Sequence, residues 1–212
     1  YKKTDTDFFW RSPNGLDLLG QTNNRREPYV GGWFEAFPNA GEPCTHNGIS
    51  IERFGDARFI SWEYAVLEDS PELLKIKLLA RTNYMPLLLE KTLTLRSGEA
   101  RLRFEERAEN LCHIPLDITW GQHPNISRPF LDGDCELWMA SGSFNLLVTD
   151  ENGVTEPVRI GSWPYFTADG RTIDARRIPD FSSTEPELSM LYLENIGGGL
   201  KVRNKRTGLV FA

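Results

Sequence analysis

A chain of 212 residues, 40% hydrophobic and 25% charged, has the composition of an ordinary globular protein and enough material for one large all-β domain, taken as residues 1–212. Its net charge of −6 and pI near 5.2 argue against a nucleic-acid partner, whose phosphates would call for clustered Lys and Arg. No apolar run suits a membrane helix and no signal-peptide pattern opens the chain, so a cytoplasmic protein with no membrane partner is expected.

Arg11 to Val30 has no clear period and reads as a long loop. Gly31-Gly32-Trp33-Phe34-Glu35-Ala36-Phe37-Pro38-Asn39-Ala40-Gly41 follows, a tightly turned segment whose glycines let the backbone approach another group closely. Phe59 to Leu67 is a predicted strand. From Leu73 to Leu111 the pattern is period two, and Lys91 to Arg107 folds as a hairpin about Ser97-Gly98 with a charged outer face carrying Arg101, Arg103 and Glu105. Further strands are predicted at Leu116 to Trp120, Glu136 to Ala140, Leu188 to Glu194 and Leu200 to Val202, with Trp163 to Pro186 read as a second long loop. Regular short strands with polar turns and no long amphipathic helix specify an all-β, large antiparallel β-sandwich. Both ends read as cut: no start methionine is present, and Gly208 to Ala212 is an apolar strand that stops without a turn.

Cys44, Cys112 and Cys135 form neither a C-x-x-C pair nor an even disulfide framework and read as buried small apolar residues in a reducing compartment. The histidines, His46, His113 and His123, lack metal-ligand spacing, so no metal site is expected. His123 follows the strand in which Leu116, Ile118 and Trp120 share one face, and parity puts it with Asp117 and Thr119 on the other. Pro124 biases it to extended backbone, and an imidazole on a polar sheet face can exchange protons near neutral pH. A lone His before Pro is, by itself, more often an ordinary surface residue, and Trp33, Phe34 and Phe37 are each more often core.

Taken in order, the G-G-W-F-E-A-F-P-N-A-G segment, His46-Asn47-Gly48, the strand Lys91 to Leu95, Ala108-Glu109-Asn110, the W-G-Q-H-P at Trp120 to Pro124 and Pro129-Phe130-Leu131-Asp132 resemble the aldose 1-epimerase (galactose mutarotase-like) superfamily. The resemblance implies a large antiparallel supersandwich, with a small-molecule carbohydrate as partner and no cofactor. It implies anomer interconversion by general acid and base, with His123 as the acid on the ring oxygen and His46 on a sugar hydroxyl. Trp33, Trp120 and Trp163 are the aromatic candidates for the sugar. Gly41-Glu42 stands where many members carry a basic residue, and His46-Asn47-Gly48 alters the H-G-G pattern, which implies a different substrate. The family's basic glutamate is not matched and is expected beyond Ala212. Glu35, Glu63 and Glu194 are formal candidates for it, and residues of that type are more commonly solvated or structural. The alternative is a carbohydrate-binding sandwich that does not turn its ligand over.

Overall fold

Period-two patterning over short segments leaves the backbone no way to satisfy its N–H and C=O groups except between strands, and the protein is all-β in consequence. The computed structural model describes residues 5–11, 31–149, 155–178 and 192–212, among which there is no helix. Its sheets are antiparallel throughout. The chain divides into two compact units, Tyr29–Asn125 and Tyr1–Pro28 with Ile126–Ala212.

The Tyr29–Asn125 unit holds β1 (Trp33–Ala36), β2 (Cys44–His46), β3 (Ile49–Ile51), β4 (Glu63–Asp69), β5 (Leu73–Arg81), β6 (Leu87–Arg96), β7 (Leu102–Asn110) and β8 (Gly121–Pro124). Strands β4 to β7 form a four-stranded meander, β1 pairs with β8, and β2 with β3. The predicted hairpin about Ser97-Gly98 is present, with Leu93 opposite Phe104 and Leu95 opposite Leu102. One face of the meander carries Leu87, Leu89, Lys91, Leu93 and Leu95 of β6, opposite Ala80, Leu78 and Ile76 of β5 and Ala108, Glu106 and Phe104 of β7. At one end of that face Leu87, Leu89, Phe37, Ile51, Ala57 and Met85 make a buried core. The other face is charged, as expected, with Lys77 paired to Glu90 at 2.7 Å.

Two predicted strands begin late, and each for a local reason. Phe59 and Ile60 donate their amides to the Asp56 carbonyl at 2.8 and 3.2 Å, so the chain turns there and β4 starts only at Glu63. Leu116 to Trp120 is not a strand: the ladder of β1 with β8 ends at Ala36 opposite Gly121. There the Thr119 amide bonds the Pro38 carbonyl at 2.9 Å and the Thr119 hydroxyl accepts from the Ala40 amide at 2.7 Å, and the ladder opens at Gly121. Gly55 has φ +64°, and a Cβ on it would come within 2.1 Å of the Phe37 carbonyl oxygen. Gly55→Ala is therefore expected to lower the stability of this unit by at least about 2 kcal/mol in urea unfolding, since both strained backbone and a backbone clash oppose it.

The other unit holds β9 (Cys135–Trp138), β10 (Ser141–Thr149), β11 (Thr155–Ser162), β12 (Tyr165–Ala168), β13 (Arg171–Asp174), β14 (Tyr192–Gly197), β15 (Lys201–Asn204) and β16 (Val210–Phe211). They form a five-stranded sheet in the order β13-β12-β11-β10-β14 and a three-stranded sheet in the order β16-β15-β9. Phe130, Cys135 and Val202 form one buried cluster, with Phe8, Leu137 and Phe211 packed on them, and Met139, Phe144 and Phe166 are buried as well. The long loop expected at Trp163 to Pro186 is not a loop where it is described: β12 and β13 make a hairpin whose turn residues, Asp169 and Gly170, have φ of 49° and 70°. Residues 12–30, 179–186 and 188–191, parts of other expected elements, lie outside the described residues.

Candidate functional site

In the ladder between β1 and β8, Phe34 stands opposite His123 and Glu35 opposite Gln122. Alternation sends Trp33, Glu35 and Gln122 to one side of this ribbon and Phe34 and His123 to the other. On the first side Glu35 is buried, with 4% of its surface exposed, and is held by donors. Its Oε2 accepts from Trp120 Nε1 at 2.9 Å and Gln122 Nε2 at 2.6 Å, and its Oε1 is ion-paired with Lys91. Lys91 Nζ also lies 3.0 Å from Glu106 Oε1, and Gln122 Oε1 accepts from Trp33 Nε1 at 2.8 Å. One lysine thus serves two carboxylates in the middle of an otherwise apolar sheet face, an arrangement that compensates buried charge through pairing and hydrogen bonds.

On the other side the His123 ring stacks on Phe34, with centroids 4.6 Å apart and planes 8° from parallel, and meets Phe54 at 5.0 Å. Arg58 sits over Phe59 at 4.2 Å and Arg53 over Phe54 at 5.0 Å. Burial holds the His123 pKa below its ordinary value; hydrogen bonding with its own backbone and with Asn125 works the other way, and the Arg58 and Arg53 charges add to the lowering. The ring is therefore mostly neutral at pH 7.

A cleft of about 310 Å³ opens beside this ribbon, at the small end of the usual range for ligand sites. Trp33, Trp62 and Phe34 supply its aromatic walls, and Glu35, Lys91 and Arg58 its charged groups. Lys91 Nζ lies 5.8 Å from the centre of the Trp62 ring. A second cleft, of about 450 Å³ and lined by Phe59, Ser61, Glu63, Arg81, Asn83 and Leu88, has more room but a single aromatic ring, one already under Arg58. The first offers the denser chemistry.

Compared with family models, with curated proteins and with solved structures, the chain shows no match. The site must be judged on its own residues.

Of the residues singled out in the sequence, Trp33 and Trp120 meet through Gln122 and Glu35, and Trp33 lines the cleft. His123 is on the other side of the ribbon, behind Phe34. His46 ends β2 at the Asn47-Gly48 turn, where both residues have positive φ, and its Nε2 is 3.0 Å from Asn47 Nδ2. The His46-Asn47-Gly48 motif is thus a hairpin turn of the Asn-Gly kind. Trp163 belongs to the other unit, where its ring packs near Phe144 at 6.2 Å. Asn39 of the F-P-N turn is buried and bonds the carbonyls of Glu42 and Glu52 at 2.7 and 3.3 Å, so that turn is held for structural reasons. Among the basic-glutamate candidates, Glu194 is exposed, Glu63 is exposed on the second cleft, and Glu35 lines the first. Cys135 is buried as expected; Cys44, in the two-stranded β2–β3 sheet, is exposed, and Cys112, in the bend after β7, is half-buried.

Lys91, Glu106 and Gln122 are not singled out by the sequence, although the signal exists, whereas Trp62 is among the tryptophans expected to line a groove and does line this cleft. Lys91 breaks the run Leu87, Leu89, Leu93, Leu95, and Glu106 breaks Leu102, Phe104, Ala108 on the partner strand. Charges at core parity on adjacent strands point to a buried pair.

Proposed function

We propose that the Tyr29–Asn125 unit binds a carbohydrate in the cleft between Trp33 and Trp62. By its resemblance to the aldose 1-epimerases, we further propose that the protein interconverts the anomers of an aldose or sugar derivative, as part of a galactose mutarotase-like supersandwich. The observation that carries the reading is the pairing of two indoles with the Glu35–Lys91 ion pair in one small cleft. Aromatic faces accept the C–H faces of a pyranose, and fixed charged groups with matched donors and acceptors orient its hydroxyls. In turnover His123 gives a proton to the ring oxygen while a separate base takes the proton of the anomeric hydroxyl and the ring opens, and both protons return as it closes, the sugar lying at the Phe34 edge of the cleft.

A second reading, a binding module without turnover, is favoured by one feature: Glu35 already accepts from Trp120 and Gln122 and pairs with Lys91, which leaves it a poor base. Tryptophan-fluorescence titration with D-glucose and D-galactose, and polarimetry of their freshly dissolved α-anomers, separate the two. Binding is expected to weaken about tenfold in Trp62→Ala through loss of the stacking face. Saturable binding with relaxation at the uncatalysed rate would leave the module reading standing; absence of both would end the carbohydrate reading.

A further inference from the structure

Gln122 joins the charged network to Trp33, a wall of the cleft. Its Nε2 lies 2.6 Å from Glu35 Oε2 and 2.9 and 3.1 Å from Glu106 Oε2 and Oε1. Ionised carboxylates only accept, so the amide nitrogen must face them, and Oε1 is left to accept the indole N–H of Trp33 at 2.8 Å. The carboxylates therefore dictate the orientation of the amide, and the amide dictates that of the indole. Trp33 is 36% exposed and cannot be fixed by burial alone; the Phe104 ring, 4.8 Å away, backs it on one side. Hydrogen bonds to charged acceptors are the stronger kind, which suits them to select one rotamer of a half-exposed side chain.

We propose that Gln122 is a positioning residue that holds Trp33 as a wall of the cleft and so sets how well the cleft takes a pyranose. The ligand in this proposal rests on the carbohydrate reading above; the geometry does not. Gln122→Ala removes both links. Gln122→Glu keeps the size and can still accept from Trp33, but it donates nothing and adds a third carboxylate beside Glu35 of β1 and Glu106 of β7, with Lys91 of β6 the cation paired to both.

The experiment follows the indole N–H resonances of the full chain by nitrogen-15 NMR, with Trp33 assigned through Trp33→Phe, alongside titrations with D-glucose and D-galactose. The Trp33 resonance is expected to move in both variants, and affinity to fall about 3- to 10-fold in Gln122→Ala, the worth of one such hydrogen bond. In Gln122→Glu the loss is expected to be pH-dependent and to shrink toward about pH 5, as the added carboxyl takes up a proton and donates again. An unmoved Trp33 resonance in both variants overturns the proposal, and so does a moved resonance with wild-type affinity for both sugars. If the wild-type protein binds neither sugar, the carbohydrate reading falls, and the positioning role is decided by the resonance alone.

Discussion

Lys91→Met is expected to cost the Tyr29–Asn125 unit about 3–5 kcal/mol at pH 7, the usual penalty for removing one partner of a buried ion pair. The side chains of Lys91 and Glu35 are 13% and 3% exposed, and that of Glu106 is 20% exposed. Without the lysine, two carboxylates that both accept from Gln122 face each other with their cation gone. One of them must take up a proton or the strands must part. The deficit should therefore narrow as pH falls toward the carboxylate range near 4. Adding Glu35→Gln to Lys91→Met removes the stranded charge and should recover a large part of the loss. Urea unfolding of the single and double variants reads this directly, and a single variant within about 1 kcal/mol of wild type at pH 7 would show that the pair is solvated and not structural.

His123→Asn is expected to abolish nearly all anomer interconversion, by about two orders of magnitude or more, while sugar binding survives, because Asn keeps hydrogen bonding but cannot exchange a proton. Polarimetry on both proteins measures it, and unchanged mutarotation in the variant would remove His123 from the mechanism. The pH dependence carries a second check. A proton donor whose pKa is lowered is charged only on the acid side of the ordinary value near 6.5, so the rate should rise as pH falls through that region. Stability moves the opposite way. The unfolded chain takes up the His123 proton before the folded one does, so this residue's contribution is intact above about pH 6.5 and is lost as pH falls through the folded pKa. In His123→Asn that part of the stability profile should be flat.

The sequence by itself determined the class of the fold. Alternation through most of Leu73 to Leu111 marks successive half-buried strands, and the Ser97-Gly98 turn fixes the register of β6 with β7, so that hairpin follows from local pattern alone. The Asp169-Gly170 and Asn47-Gly48 turns carried the same kind of local information for two more hairpins. Tertiary structure alone decided where strands begin, because β4 and β8 start where a partner or a turn allows and not where apolar alternation starts. It also decided which polar residues meet. Glu35 and Lys91 are far apart in the chain, and nothing in either segment names the other; only the packing of β1 against the middle of β6 makes them a pair. His123 and Gln122 are neighbours in sequence, yet the pleat sends one to Phe34 and the other to Glu35, since consecutive side chains of a strand point to opposite faces.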